Sequence, residues 1–326
     1  MLYNMNANMK PYVIGLDLGG TNSVFGIVND KAEIIAKGTV RTTGQTDLNA
    51  YLDECCALLK NMITQAGGIK LIKGMGVGAP NGNFYTGNIE QAPNLPWKGT
   101  VPFARLFSQR LGIPVSLTND AKAAAIGEMT YGAAKGMKNF IMMTLGTGVG
   151  SGIVVNGKLV YGCDGFAGEL GHTTVNYAPD ARICGCGRRG CLETYCSATG
   201  VARTARELLT KRTDESMLRA FPLEKITSKD VALAAEKGDC LAREVFNFTG
   251  ELLGRACAGF TLFCSPEAFI FFGGLTNAGE LIMKPIREAY DQFVMPVFKG
   301  KAKMLLSQLD GDNAAVLGAA ALALNS

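Results

Sequence analysis

Apolar and polar stretches alternate along the chain in a way that predicts strands and helices in turn. Residues 12–18 (YVIGLDL) form a continuous apolar run typical of a buried strand, and two further strands are expected at 23–28 and around Ile34. Helical spacing of apolar residues over 48–66 predicts a helix, and 71–77 predicts the next strand. Strand-turn-strand units followed by helices are typical of the α/β class.

The same arrangement returns in the second half of the chain. Residues 140–145 (FIMMTL) predict a strand, a glycine turn follows, and 152–160 predict a hairpin around Asn156-Gly157, a strong two-residue turn signal. Self-similarity at such long spacing indicates a duplicated domain and not a solenoid repeat. We therefore expect two duplicated lobes around a cleft.

The remaining segments complete these two lobes. Helices are expected at 197–210, 228–237, 240–263 and 279–293, a short strand at 269–272, and a final helix from Asp312 to residue 324. We assign residues 1–119 to a small N-terminal α/β lobe, completed by the C-terminal helix at 312–326. Residues 120–311 are assigned to a larger α/β lobe.

Composition narrows the range of partners. The chain has 326 residues, of which 48% are hydrophobic, enough for two domains with cores of their own. A net charge of +4 without a long basic run argues against a nucleic-acid or membrane partner. Residues 1–12 lack the apolar stretch of a signal peptide, and the apolar run at 314–324 is too short to span a bilayer. A cytoplasmic location is expected.

One histidine and three cysteines stand close together between positions 172 and 191. His172 is the only histidine, and Cys184, Cys186 and Cys191 form a Cys-x-Cys-x4-Cys run punctuated by glycines. One imidazole and three thiolates form a closed tetrahedral set for Zn2+, and a closed set indicates a structural metal. The alternative is four separate core residues. We expect the other cysteines to be reduced thiols, as in cytosolic proteins.

Two glycine-threonine turns, one in each predicted lobe, follow strands. The first comprises Asp17, Gly19, Gly20, Thr21 and Asn22, and the second comprises Gly146, Thr147 and Gly148. Backbone N–H groups in such turns can approach phosphate closely. Neither turn has Walker spacing, nor does a helix follow the first as a dinucleotide fingerprint requires. A single Gly-Gly turn is often only a turn, but two of them could hold one nucleotide from both sides.

Asn119 and Asp120 stand where a predicted strand (IPVSLTND) meets a predicted helix. Both residue types are preferred at helix N-caps, so a capping role is one interpretation. A carboxylate at this point could also accept a proton from a substrate hydroxyl. The residues alone leave both interpretations open.

The motifs taken together resemble those of the ROK family of sugar kinases. The resemblance rests on DLGGTN, GTGVGSGIV, the Asn-Asp-Ala segment and GELGH…CGCGRRGCLE, and it runs from about residue 11 to residue 325. It implies an actin-like (ribonuclease-H-like) ATPase fold. It also implies an enzyme that phosphorylates a hexose with ATP and Mg2+.

The resemblance further implies roles for individual residues. Asp120 corresponds to the catalytic base. Sugar contacts are implied for Asn119, Glu169, His172, Glu193, Gly78 and Pro80, and adenosine-side contacts for Gly273 and Gly274. His172 would use one ring nitrogen for zinc and the other for the sugar. The chain departs from the family pattern at Asn81 and Phe272, where glycine is usual.

Glucose is the substrate we expect first. N-acetylglucosamine, N-acetylmannosamine, mannose and fructose remain alternatives, because one hydroxyl or acetamido group distinguishes them. A non-catalytic sugar-sensing regulator is the alternative from another class. Only about ten residues precede the first strand, which is too few for the helix-turn-helix of the family's transcriptional regulators. Dimers are common in the family, so a homodimer or larger homo-oligomer is expected.

Overall fold

A computed structural model describes residues 10–309, 311 and 313–324. Within these, the chain divides into two compact units. Of the described residues, unit 1 draws on those within 10–136, 159–167 and 308–324, and unit 2 on 137–158 and 168–307. The sequence predicts a boundary between residues 119 and 120. In the structure the helix that starts at Asp120 belongs to unit 1, because it packs on the N-terminal sheet and on the C-terminal helix.

The strands include all the predicted ones, together with strands at 89–90, 100–101 and 303–306 that the sequence did not predict. They are β1 (Tyr12–Leu18), β2 (Asn22–Asn29), β3 (Ile34–Arg41), β4 (Ile72–Ala79), β5 (Ile89–Glu90), β6 (Thr100–Val101), β7 (Val115–Asn119), β8 (Phe140–Leu145), β9 (Val149–Val155), β10 (Lys158–Leu159), β11 (Ala268–Phe272) and β12 (Lys303–Leu306).

The helices include all the predicted ones, with ends shifted by up to two residues, together with helices at 103–111 and 193–196 that the sequence did not predict. They are α1 (Leu48–Gln65), α2 (Phe103–Leu111), α3 (Asp120–Tyr131), α4 (Glu193–Cys196), α5 (Ala198–Lys211), α6 (Ser228–Glu236), α7 (Cys240–Cys264), α8 (Glu280–Phe293) and α9 (Ala314–Leu324). Asp312, the expected start of the last helix, lies outside the described residues, as do residues 325 and 326 of the expected C-terminal segment. Among the described helices, none combines the length and apolarity needed to span a bilayer.

The two units repeat one sheet topology. The sheet of unit 1 has the order β3-β2-β1-β4-β7, and that of unit 2 has the order β10-β9-β8-β11-β12. In unit 1, β1 and β2 are antiparallel, whereas β4 and β7 run parallel to β1. In unit 2, β8 and β9 are antiparallel, whereas β11 and β12 run parallel to β8. This equivalence supports the duplication expected from the sequence. The turn after β9 has Asn156 and Gly157 at φ +52° and +72°, as a type I′ hairpin requires.

In unit 1, α9 lies directly on the sheet at two glycines. A Cβ built on Gly15 of β1 would lie 2.1 Å from the carbonyl oxygen of Val316, and one on Gly76 of β4 would lie 1.8 Å from that of Ala319. Any side chain at these positions would therefore push the helix away. The core of this unit also contains large side chains from β2, α1 and α2: Phe25, Tyr51, Phe103 and Phe107.

In unit 2, α7 and α8 form the most closely packed helix pair. A Cβ on Gly250 would lie 2.5 Å from the Pro285 ring, so glycine permits the close approach of the two helices. Beneath them lie the buried strand residues Phe269 and Phe271 of β11. This close packing restricts the movement of β8 and β9, the strands on either side of the second glycine turn.

Candidate functional site

Two acidic residues of unit 1 come together at the carboxyl ends of its parallel strands. Asp17 pairs in register with Gly78 of β4, and Gly78 pairs with Thr118 of β7, immediately before α3. Asp120, the first residue of α3, lies close enough for its charge to act on the Asp17 carboxylate. Burial, and secondarily the charge of Asp120, raise the pKa of Asp17 to about 6.

Of the two residues Asn119 and Asp120, Asn119 takes the capping role that the sequence leaves open. Asn119 is the N-cap of α3, and its Oδ1 accepts hydrogen bonds from the N–H groups of Ala121 (2.9 Å) and Lys122 (3.3 Å). Asp120 is exposed to solvent but surrounded by protein, and burial raises its pKa although hydrogen bonds partly oppose the shift. An accessible carboxylate with a raised pKa suits proton acceptance.

The first glycine turn is closed by its own backbone. The Gly19 N–H donates to the carbonyl of Asn22 at 3.0 Å. A Cβ on Gly20 would lie 2.7 Å from the carbonyl oxygen of Asn94, so that position also needs glycine. Thr21 and Asn22 are exposed at the tip. The turn therefore presents backbone and polar side chains to solvent, as phosphate binding requires.

The loop after β4 explains the departure at Asn81. Asn81 has φ +51°, in the left-handed region that asparagine adopts more readily than most residues. Its Nδ2 donates to the carbonyl oxygens of Glu90 (3.0 Å) and Gln91 (3.2 Å). Asparagine thus preserves the turn that glycine would make, and adds a tie to the 89–91 segment. Pro80 precedes it and is half-buried.

The four predicted metal ligands of unit 2 come together. Their ligand atoms all lie within 4.8 Å of one another. The Cys184 Sγ is 3.6 Å from the His172 Nδ1, and the Cys186 and Cys191 sulfurs are 3.7 Å apart. Tetrahedral Zn2+ with ordinary bond lengths requires about 3.5 Å between N and S and about 3.8 Å between two sulfurs. The donor set and its spacing fit zinc.

The second glycine turn reaches the metal cluster through Glu193. The Glu193 Oε2 accepts a hydrogen bond from the Val149 N–H at 2.9 Å, and its Oε1 is 3.6 Å from the Cys184 Sγ. A Cβ on Gly148 would lie 2.3 Å from the Glu193 Oε2. Gly146 closes the turn by donating its N–H to the Gly148 carbonyl at 3.0 Å. Thr147, at the tip, is exposed.

Glu169 precedes a short 3-10 helix, Leu170–His172, and His172 is its last residue. This helix packs on β9. Gly171 allows that packing, since a Cβ there would lie 2.0 Å from the Val149 carbonyl oxygen. His172 is half-buried with its Nδ1 towards the cysteines, which leaves Nε2 for another partner. Glu169 is exposed.

Gly273 and Gly274 lie at the end of β11, beside the second glycine turn. Gly273 has φ +109°, and a Cβ there would lie 2.6 Å from the Leu145 carbonyl oxygen. Gly274 lines a cavity of about 450 Å³ within unit 2. Its other walls are formed by Ala198, Ser228, Lys229, Ala232, Leu233, Glu236, Leu275, Asn277 and Ala278.

The structure thus groups the proposed residues by unit. In unit 1 it brings together Asp17, Gly78, Asn119 and Asp120, and in unit 2 the metal ligands, Glu193 and the second glycine turn. Sequence reasoning missed the α6 wall of the cavity. The only sequence signal for that wall was an amphipathic helix beginning at Ser228, which does not by itself suggest binding.

Comparisons with known proteins agree with this arrangement. The model of the ROK family matches residues 13–326. A glucokinase of Halalkalibacterium halodurans is 35% identical over 312 residues, which cover 94% of this chain and 93% of the relative. A xylose repressor of Caldicellulosiruptor bescii is 29% identical over 317 residues, covering 96% of this chain and 78% of the repressor.

A solved structure gives the same result. The crystal structure of a ROK family glucokinase from Streptomyces griseus in complex with glucose and AMPPNP matches with a TM-score of 0.79 and 32% identity. The match covers 97% of this chain and 100% of that one.

Proposed function

Because the chain belongs to the ROK family, we propose that it is an ATP-dependent kinase that converts glucose to glucose 6-phosphate. The observation that carries the proposal is the accessible Asp120 carboxylate with its raised pKa at the start of α3. Similarity to the glucokinase of H. halodurans supports glucose as the acceptor. The AMPPNP in the S. griseus glucokinase supports ATP as the donor.

The reaction needs a proton acceptor because a sugar hydroxyl is a poor nucleophile. Asp120 accepts the hydroxyl proton as the new P–O bond forms, and ADP leaves with the electrons of the broken P–O bond. Its position at the helix N-terminus keeps the carboxylate fixed. The raised pKa makes it a stronger base than an ordinary aspartate.

The family resemblance assigns sugar contacts to residues in each unit. These are Asn119, Glu169, His172 and Glu193, with Gly78 and Pro80 shaping the loop after β4. Asn119 uses its oxygen as the helix cap, so its Nδ2 is the atom offered to a hydroxyl. His172 offers Nε2 because its Nδ1 faces the cysteines.

The family resemblance assigns phosphate contacts to the glycine turn of each unit, and the cavity beside Gly274 in unit 2 is the candidate site for the base of ATP. Asp17, Gly19, Gly20, Thr21 and Asn22 serve the phosphates from unit 1, and Gly146, Thr147 and Gly148 serve them from unit 2. The cavity has room for a purine base, with apolar walls from Ala232 and Leu275 and polar groups at Lys229 and Asn277. Gly273 holds the turn that borders the cavity.

Two metals complete the proposal. Mg2+ bound with ATP would neutralise charge on the phosphates, and the carboxylates of Asp17 and Asp120 would favour a nearby cation because burial destabilises the ionised form of each. Structural Zn2+ on His172, Cys184, Cys186 and Cys191 fixes the tautomer and orientation of the imidazole.

Two alternatives are kept. N-acetylglucosamine, N-acetylmannosamine, mannose or fructose would change the acceptor and leave the chemistry of Asp120 unaltered. Similarity to the xylose repressor of C. bescii favours a non-catalytic sugar-binding regulator as the second candidate. The acidic pair favours the kinase, because a sensor has no need for an accessible base with a raised pKa.

We extend the proposal to the cellular setting and the assembly. The protein acts in the cytoplasm as a homodimer or larger homo-oligomer, without a nucleic-acid or membrane partner. The mild net charge of +4 supports the expectation that neither nucleic acid nor a membrane is a partner.

The test is ADP release with ATP and Mg2+ against a panel of hexoses and N-acetylhexosamines. Turnover that is highest on glucose is the expected result. Preference for an acetamido sugar would replace the acceptor and keep the mechanism. Sugar binding without turnover on any member of the panel, in zinc-loaded protein that binds ATP, would replace the kinase by the regulator.

A further inference from the structure

Arg182 is a buried cation with no role in the site described so far. Only 7% of the residue is exposed. Its Nη1 donates to the Thr194 carbonyl at 2.7 Å, and its Nη2 donates to the Thr204 Oγ1 at 2.9 Å and to the Glu207 Oε2 at 2.6 Å. Its Cζ lies 4.5 Å from the centre of the Tyr195 ring. The guanidinium is therefore held on several sides by α4 and α5.

The main chain of Arg182 belongs to the hairpin that carries the cysteines. Its carbonyl accepts from the Gly190 N–H at 2.9 Å, directly before Cys191. The Cys184 N–H donates to the Arg188 carbonyl at 2.8 Å further along the same hairpin. Movement of the Arg182 backbone would therefore move two metal ligands.

The helix at the other end of the side chain holds the second glycine turn. The Ala198 N–H donates to the Gly146 carbonyl at 2.8 Å, and the Thr199 Oγ1 donates to the Thr147 carbonyl at 2.9 Å. The Arg182 Nη1 also reaches the next residue, donating to the Gly200 carbonyl at 3.4 Å. One guanidinium thus lies between the cysteine hairpin and the first turns of α5.

We propose that Arg182 is a positioning residue that fixes the cysteine hairpin relative to the second glycine turn, so that sugar binding and nucleotide binding are coupled. The main chain through α4 and the Glu193 hydrogen bond to the Val149 N–H also join these elements, and Arg182 adds a direct link from the start of the hairpin to α4 and α5. Charge-assisted hydrogen bonds in fixed directions are suited to holding such a geometry. The inference rests on the proposed function for the identity of the two ligands.

A cavity next to Arg182 makes this proposal testable by chemical rescue. The cavity has a volume of about 190 Å³, and its walls include Arg182, Tyr195, Glu207 and Phe248. Truncation of Arg182 would join the vacated space to this cavity. A free guanidinium ion could then enter and bind the same acceptors.

The experiment compares R182A, R182K and R203A with the wild type. Arg203 is the matched control, because it pairs with the same Glu207 at 2.9 Å but is 46% exposed and lies outside the hairpin contacts. R182A should retain zinc and lose up to about 100-fold in kcat/KM, with KM raised for both substrates. R182K should recover little of this loss, because an ammonium cannot reproduce the planar fork. R203A should match the wild type.

Added guanidinium, at concentrations far below those that unfold proteins, should restore kcat/KM of the R182A variant. Urea has the same shape without the charge and should not restore it. Restoration by neither compound, or R182A kinetics equal to those of R203A, would overturn the proposal. If R182A does not fold, R182Q takes its place, since it keeps a polar side chain of intermediate length without the charged fork.

Direct binding separates this inference from the proposed function. The affinity for AMPPNP is measured with and without glucose in wild type and R182A. The wild type should show a coupling of about 5- to 150-fold that R182A loses. If no sugar is turned over, but the wild type shows this coupling and R182A loses it, the kinase is rejected and Arg182 is kept as the coupling residue. Equal coupling in both proteins would reject the role of Arg182.

Discussion

Replacement of Asp17 by asparagine should make the protein more stable at neutral pH. Burial and the neighbouring Asp120 raise the pKa of Asp17 from 3.8 to about 6. At 1.36 kcal/mol for each pKa unit, this shift means that the ionised Asp17 carboxylate destabilises the folded state by about 3 kcal/mol at pH 7. Asparagine has nearly the same shape and carries no charge, so the D17N variant lacks this destabilising contribution.

The sign of the pH dependence follows from the two pKa values. Between about pH 4 and 6 the folded protein holds a proton on Asp17 that the unfolded chain has released. The free energy of unfolding of the wild type therefore falls as pH rises through this window. D17N lacks this group, so its advantage should disappear below about pH 4, where Asp17 is protonated in both states.

The assay is denaturant unfolding at pH 7 and at pH 4, without Mg2+ or nucleotide and without a chelator that would remove zinc. The matched control is D30N, because Asp30 is exposed in the turn after β2 of the same unit. D17N should unfold at higher denaturant than wild type at pH 7 only, and it should lose kinase activity. Equal or lower stability of D17N at pH 7 would refute the electrostatic reasoning.

Three further substitutions test other parts of the site. D120N should lose about 10²–10⁴ in kcat with glucose binding retained by calorimetry, and near wild-type turnover would contradict its role as the base. C186S should lower zinc content, melting temperature and sugar affinity together, since metal binding contributes to folding; unchanged melting and affinity would rule this out. G148A places a Cβ 2.3 Å from the Glu193 Oε2, so KM for glucose should rise at unchanged melting temperature; unchanged KM would remove Glu193 from the sugar contacts.

Local patterns were enough to predict much of the fold and of the site. The Asp17–Asn22 turn and the Cys184–Cys191 run are short, so their residues are brought together mainly by the backbone turns between them. Strand and helix positions followed from the spacing of apolar residues, and the shared order of the two sheets matches the repeat in the sequence.

Long-range packing set the limit of prediction. That α3 belongs to unit 1 depends on Gly127 and Gly318, whose backbones approach closely across α3 and α9. Sequence could not decide between Asn119 and Asp120 as the cap, because both residue types serve equally well. The importance of Arg182 arises from partners on α4 and α5 that no local spacing indicates.

The packing of α9 on Gly15 and Gly76 has a consequence for protein synthesis. A ribosome makes the strands of unit 1 first and α9 only after the whole of unit 2. During that interval one face of the first sheet lacks the helix that covers it, and its apolar residues Val13 and Val28 are exposed to other chains. Unit 2, which is nearly continuous in sequence, can complete its core earlier. The nascent chain is therefore most vulnerable to aggregation through its oldest strands, and chaperone binding is most needed there.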